Sequence, residues 1–419
     1  MKPITVSFEG SLLLVEVSML LDSEPIASVE EKGQMSATLT RVLACIASTL
    51  LLASCQTPGP ANPAEGVELA LIVQDVEATE NLIALPTRIT GRFRKSGDQV
   101  GIERQWPGTY VETEFSGSEV YFDVGEGEAA LMISIDDMPP VTMVRPQPGR
   151  YQVSGFDDGV HDLRLDVVSE SQAAPTQLGG IYAGPGSVKA QDPERKPQFE
   201  FIGDSHTVGY ANTSTKRDCT SEEVWLTTNT ALGVPGQLSA LYGADYQVNA
   251  ISGRGVVRNY NGGKDRTLIE SYPYVLLNST YPYEADDWNP DLILVAMGTN
   301  DFSTELNDSD PWGDRDDLIS DYHATYAVFL KQLLARNKDA YIVVWMAGDL
   351  TSEQSRESAR VVESLHGAGV NRIGFVPITD LFFDACHAHP NVDDATIIAN
   401  EIFRHLERRN LVFEGSSTE

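Results

Sequence analysis

The stretch FEFIGDSH, residues 199–206, decides the fold. Phe199 to Ile202 is short and largely apolar, which suits a buried strand, and Gly203-Asp204-Ser205-His206 breaks it sharply. The pattern recurs downstream. Tyr246–Ile251, Leu292–Met297, Tyr341–Met346 and Arg372–Pro377 are further apolar runs of strand length. Helical patterns lie between them, the clearest over Asp316–Arg336, Ser352–His366 and Asp393–Arg408. Short apolar strands alternating with helices predict a parallel sheet covered on both faces, a three-layer α/β/α domain. In such sheets ligands sit beyond the carboxyl ends of the strands, so the chemistry is expected just after each strand.

Upstream the period changes. From about residue 67 to 168 apolar residues alternate: Val111, Thr113 and Phe115; Leu131, Ile133 and Ile135; Leu163, Leu165 and Val167. Turn signals separate these runs, so an antiparallel, jelly-roll-like β-sandwich is expected. Residues 169–196 are rich in Gly and Pro and mark a boundary, with a final strand near Gly180–Tyr182. The expected domains are 67–190, a β-sandwich, and 191–419, the α/β/α layer.

The first 66 residues read as export apparatus. Val42–Ala53 is too short to span a membrane, and Leu52-Ala53-Ser54-Cys55 closes it in the manner of a bacterial lipobox. Residues 35–54 are then a lipoprotein signal peptide with Met35 as the true start, and Cys55 is the lipid attachment site. An ordinary secretory signal with a chance Cys is the other reading. Residues 1–34 are acidic where a signal is basic, which suits a start codon placed too early. Residues 55–66 form a Pro/Gly/Ala tether. The expected location is outside the cytoplasm, anchored to a bacterial membrane by lipid alone, at the outer membrane or cell surface given Gln56 after the Cys.

Composition narrows the classes. Lys plus Arg is 30 against 61 Asp plus Glu, a formal net charge of -31. That field repels phosphate backbones, so no nucleic-acid partner is expected. The four Cys show no CxxC zinc spacing, and neither a metal nor a cofactor is expected. Besides Cys55, Cys219 and Cys386 are the only Cys after the leader. In an exported protein they are candidates for a disulfide, with two buried thiols as the alternative.

After the strands come Gly203-Asp204-Ser205-His206, Ser252-Gly253-Arg254-Gly255, Gly298-Thr299-Asn300-Asp301 and His389-Pro390. Each alone is weak, since a Ser at a helix start is also an ordinary N-cap. Together they supply a nucleophile, oxyanion donors and a base, in order.

GDSH, SGRG, GTND and HP resemble the four blocks of the SGNH (GDSL-type) esterase superfamily, over about residues 198–410. The G-x-S-x-G elbow of α/β-hydrolases is absent. FIGDSHTVGY and ISGRGVVRNY, with GRF (91–93) and WPGTYVETEF ahead of them, look most like carbohydrate esterase family 2, deacetylases of acetylated plant polysaccharides. The resemblance implies Ser205 as nucleophile, His389 as base, and Ser205 N–H, Gly253 N–H and the Asn300 side chain as oxyanion donors. One position departs. Many relatives carry an Asp three residues before the His; here it is Cys386, and Asp384 stands at the wrong spacing. A Ser–His dyad with a backbone carbonyl orienting the imidazole is therefore expected.

Around this centre, His206, Tyr260, Arg258 and the loop tryptophans Trp225, Trp288 and Trp312 are candidate sugar-groove residues. His161 shares the parity of Leu163 and Leu165 and reads as a core or rim residue, while His323, His366 and His405 read as a solvated helix face. His387 and His389 with Asp384 make only a weak metal motif. The expected function is removal of O-acetyl groups from an acetylxylan-type polysaccharide through an acetyl-enzyme. The alternatives are an SGNH esterase acting on an acylated lipid, thioester or cell-wall glycan, and a non-catalytic surface carbohydrate-binding lipoprotein.

Overall fold

The computed structural model describes residues 70–77, 81–95, 101–187, 195–277, 281–284 and 288–413. The leader, Cys55 and the tether lie outside the described residues. From residue 198 the five expected strands are present, at Gln198–Gly203, Asp245–Ala250, Leu292–Ala296, Tyr341–Ala347 and Ile373–Ile378. All pairs are parallel, and the second strand lies at one edge beside the first, followed by the third, fourth and fifth. Chain direction across the sheet therefore reverses at the first strand, which opens a crevice beyond its carboxyl end.

Successive residues of the strands feed two separate cores. Ile293, Val295, Ile342 and Val344 pack with Leu330, Leu333, Val361 and Leu365 from helices Arg315–Arg336 and Glu353–Gly367. Leu292, Leu294, Val343 and Trp345 pack the other way, on Leu238, Ile398 and Ile402 from helices Val234–Tyr242 and Val392–Arg408. This is the three-layer arrangement, and it explains why the strands read as unbroken apolar runs. Helix Val234–Tyr242, hidden behind Pro235 and Gly236, was not anticipated.

Before it, two antiparallel sheets enclose a core that includes Phe115, Phe122, Leu131, Ile133, Val153 and Leu165. The strand expected near Gly180–Tyr182 is longer, Thr176–Ala183, and runs in the middle of one sheet. The sandwich and the three-layer region belong to one compact unit. Buried polar contacts join them. Tyr110 donates to Asp245, Arg88 pairs with Asp245, and Thr230 N–H donates to the Val168 carbonyl. Arg92 crosses from the sandwich, fully buried, to the Tyr272 carbonyl and to Glu200, and its guanidinium lies over the rings of Tyr272 and Tyr283. Glu200, the one charge in FEFIG, also accepts from Asn249 (2.6 Å) and Tyr272 (2.7 Å). A buried carboxylate is tolerable only with such partners.

The histidines correct part of the sequence reading. His405 is buried, on the helical face of Ile398 and Ile402, above Gly374, whose missing side chain leaves room for the ring. His323 is half-buried and bonded to Glu357, whereas His366 is exposed as expected, its Nε2 2.9 Å from the Ile373 carbonyl, and His161 lies at the rim, bonded to Asp136 and the Asp157 carbonyl.

Candidate active site

Strand Gln198–Gly203 runs directly into the short helix Ser205–Val208. A Cβ at Gly203 would stand 2.0 Å from Thr207 Oγ1, so only glycine allows so tight a turn. Asp204 caps the helix, its Oδ1 accepting from His206 N–H at 3.1 Å. Ser205 is thus a first-turn residue whose own N–H lacks an intrahelical partner. Its side chain is nearly buried and its Oγ lies 2.9 Å from His389 Nε2.

His389 precedes helix Val392–Arg408, after the fifth strand. Its Nδ1 lies 3.1 Å from the Cys386 carbonyl. A carbonyl only accepts, so Nδ1 carries the proton and Nε2 is left to accept from the Ser205 hydroxyl. The Tyr210 ring lies 4.3 Å from the imidazole, centroid to centroid, and His206 stands edge-on at 5.5 Å. Asp384 does not reach Nδ1. It is exposed and paired with Arg217 at 2.8 Å. Cys386 itself is bonded to Cys219.

The second and third blocks are locked together. Asp301 is buried and accepts the N–H groups of Val256, Val257 and Arg258 at 3.0, 2.9 and 2.9 Å. Gly253, in the loop that follows the second strand, adopts φ +81°. The sandwich holds that loop from the other side: Glu170 accepts from Ser252 N–H (2.9 Å) and Gln172 donates to the Ser252 carbonyl (3.2 Å). Asn300 Nδ2 donates to the Arg254 carbonyl (2.9 Å) and to Asp204 (3.2 Å). To serve an oxyanion it must exchange one of these bonds, the longer one to Asp204 most readily.

Burial dominates the proton affinities. It lowers His389 to about 3, with neighbouring His206 acting the same way and the carbonyls of Cys386 and His387 opposing. His206 falls to about 4 for the same reason. Asp204 rises to about 7 and Asp301 to about 6, burial outweighing their N–H donors.

The groove candidates divide. Tyr260 is exposed, with its N–H on the Gly253 carbonyl, and His206 lies beside Ser205. Trp225 is on helix Ser221–Thr227 rather than in a loop, and it lines a cavity of about 370 Å³ with Glu170, Gln172, Val224 and Thr228. Its ring is backed by the Arg145 guanidinium at 4.2 Å. Three assignments fail. Arg258 is 2% exposed, paired through two 3.0 Å bonds with Asp310 and bonded to Thr304 and Glu305, so it cannot meet a sugar. Trp312 packs on the core and donates to Asp321. Trp288 precedes strand Leu292–Ala296 and so sits at the amino end of the sheet. A cavity of about 480 Å³ around Lys331, Leu334 and Arg372 also lies at that end, away from Ser205.

Glu170, Gln172, Tyr210 and Asp301 were missed. Asp301 and Tyr210 stood inside the quoted blocks; Glu170 and Gln172 come from the sandwich and carried no local signal. Among the described residues no group of three or more His, Cys, Asp or Glu could hold a metal ion.

A parallel sheet of this order with Ser205, Gly253, Asn300 and His389 gathered at its carboxyl end defines the SGNH class of esterases. Comparison with known proteins narrows it. Residues 89–193 match the family described as Carbohydrate esterase 2 N-terminal, and residues 201–396 match the GDSL-like Lipase/Acylhydrolase family. An acetylxylan esterase / glucomannan deacetylase of Cellvibrio japonicus is 35% identical over 81% of this chain and 95% of its own. A solved carbohydrate esterase, described as having divergent catalytic and non-catalytic binding functions in its active site, superposes with a TM-score of 0.72. It is 36% identical, over 78% of this chain and 98% of that one. A family two carbohydrate esterase from Clostridium thermocellum, in complex with cellohexaose, shares the fold, with a TM-score of 0.67 at 22% identity over 78% of this chain and 99% of its own. The chain belongs to carbohydrate esterase family 2 and is a carboxylic ester hydrolase.

The buried imidazole yields a direct expectation. Folded His389 stays neutral from pH 7 down to about 3, whereas the unfolded ring takes a proton near 6.5. The unfolded chain therefore binds more protons in that window, and this group's stability contribution falls as pH drops below about 6.5. Proton NMR of the ring should show no His389 titration above pH 5; a midpoint near 6.5 would contradict the buried geometry.

Proposed function

We propose that this chain removes O-acetyl groups from a polysaccharide through an acetyl-Ser205 intermediate, using a Ser205–His389 dyad. The observation that carries the reading is His389 held between the Ser205 hydroxyl at 2.9 Å and the Cys386 carbonyl at 3.1 Å. Ser205 Oγ attacks the acetyl carbonyl carbon as its proton passes to His389 Nε2. The carbonyl π pair moves onto oxygen, facing Ser205 N–H, Gly253 N–H and the Asn300 amide. Collapse of this adduct breaks the bond to the sugar oxygen, which leaves with the proton from His389. Water then attacks the acetyl carbon and gives a proton to His389; collapse of this second adduct breaks the bond to Ser205 Oγ, which takes that proton back, and acetic acid departs. Each oxyanion donor is worth roughly 10²–10³ in rate. Lacking a carboxylate on Nδ1, the buried imidazole is a weak base, which suits an ester better than an amide.

The polysaccharide reading rests on the likeness to the 35% identical acetylxylan esterase / glucomannan deacetylase and on the cavity at Trp225, where an aromatic face stands beside amide and acid groups. Aromatic stacking with a few polar donors suits a sugar ring better than an acyl chain. The complete Ser205–His389 contact speaks against a purely binding role.

Acetate release from acetylated xylan, acetylated glucomannan and an aryl acetate tests this. Ser205→Ala should lose at least about 10³-fold on all three. Asp384→Ala should stay near wild type, and Trp225→Ala should raise KM on the polymers alone. Activity on the aryl acetate only would discard the polysaccharide; activity surviving Ser205→Ala would discard the mechanism.

We also propose export and lipid anchoring at Cys55, on the strength of Leu52-Ala53-Ser54-Cys55. Full-length protein made in a bacterium should sediment with membranes and Cys55→Ala should release it. Equal partitioning of the two would overturn the anchor.

A further inference from the structure

The loop that carries His389 is held in a conformation its residues disfavour. Asp380, Phe383, His387 and Ala388 have φ of 62°, 53°, 54° and 56°, and none is Gly. In that region Cβ crowds the following carbonyl oxygen, and such strain persists only where the surroundings over-determine it. His387 and Ala388 are consecutive. They curl the chain so that the Cys386 carbonyl faces back onto His389, where it accepts both the backbone N–H (3.2 Å) and ring Nδ1–H (3.1 Å). The Ala385 N–H closes the turn on the His389 carbonyl at 3.2 Å.

What opposes relaxation comes largely from one neighbouring segment, Arg217–Cys219. Cys219 is bonded to Cys386. The Arg217 carbonyl accepts from His387 N–H at 2.7 Å, and the Cys219 carbonyl lies 3.1 Å from His387 Nε2. Tyr210, whose ring covers the His389 imidazole, meets His387 Nδ1 at 3.0 Å. Cys386 is fully buried against Ala211 and Val224, so the covalent link reaches the loop at its most enclosed point.

A side-chain carboxylate can choose a rotamer to find an imidazole. A backbone carbonyl cannot; its direction is set by the torsions on either side of its peptide unit. If His387 and Ala388 relax toward negative φ, the Cys386 carbonyl swings away, and Nδ1 loses the partner that fixes its tautomer. We infer that the Cys219–Cys386 disulfide is a positioning element for the reaction, holding the strained turn so that a carbonyl does the orienting work a carboxylate would otherwise do. This inference rests on the Ser205–His389 reading.

The test uses the full chain and an aryl acetate, with Cys219→Ser/Cys386→Ser and Cys219→Ser/Cys386→Asp. Rates are normalised to competent enzyme by active-site titration with a phosphonate ester, so an unfolded fraction does not enter kcat. The double Ser variant should lose about 10- to 100-fold in kcat, the order expected for a displacement of about 1 Å, with KM within about twofold. The Asp variant places a carboxylate three residues before His389 and should recover at least about tenfold of that loss. A staple that served stability alone would lower Tm and leave normalised kcat untouched. Unchanged kcat in the double Ser variant, or equal loss in both variants, overturns the inference. Ser205→Ala runs alongside. Activity surviving that change overturns the underlying reading, whereas activity lost there but indifferent to the disulfide overturns only this inference.

Discussion

A histidine that is to take a proton from a serine must have its other ring nitrogen committed, or the ring turns and the wrong tautomer faces the nucleophile. Here that commitment is a single backbone carbonyl, that of Cys386, 3.1 Å from His389 Nδ1. Because a carbonyl moves only with its chain, the site depends on the loop around it being held still. The left-handed turn at His387 and Ala388, the bond to Cys219 and the Tyr210 ring all bear on that one acceptor.

The rest of the site follows the same economy of fixed backbone. The loop bearing Gly253 is held by the buried Asp301 carboxylate through three N–H groups, and by Glu170 and Gln172 across the crevice. Asp301 adjoins Asn300, so the turn after the third strand steadies the second strand's loop. Glu170 and Gln172 belong to the β-sandwich, which makes that layer part of the crevice wall. Arg92, buried between Glu200, Tyr272 and Tyr283, ties the two layers together with partners whose loss would strand a charge, at about 3–5 kcal/mol.

Much of this was legible in the residues. Both layers announced themselves through period, two for the sandwich and unbroken apolar runs for the parallel sheet, because burial on one face or on both leaves that mark. Ser205, Gly253 and Asn300 drew attention because each stands within three or four residues of a strand's carboxyl end, and His389 because it lies between the last strand and the last helix. What stayed hidden was tertiary. Nothing local distinguishes Glu170 from a solvated acid, and Arg258 looks like a groove residue until Asp310 is seen beside it. His405 sits in a polar sequence but on the buried face of its helix, over a glycine. Trp288 was misplaced because a loop at the amino end of a strand reads like one at the carboxyl end.

In the proposed mechanism Ser205 carries the acetyl group between substrate and water. Rapid acid quench of the enzyme turning over an aryl acetate, followed by peptide mass spectrometry, tests it most directly. An acetyl adduct should appear on the peptide containing Ser205, at Ser205 itself, and disappear as substrate is exhausted. Acetate release with no adduct on Ser205 in a quench that traps acetyl-serine, or an adduct that turns over at another residue, would contradict it.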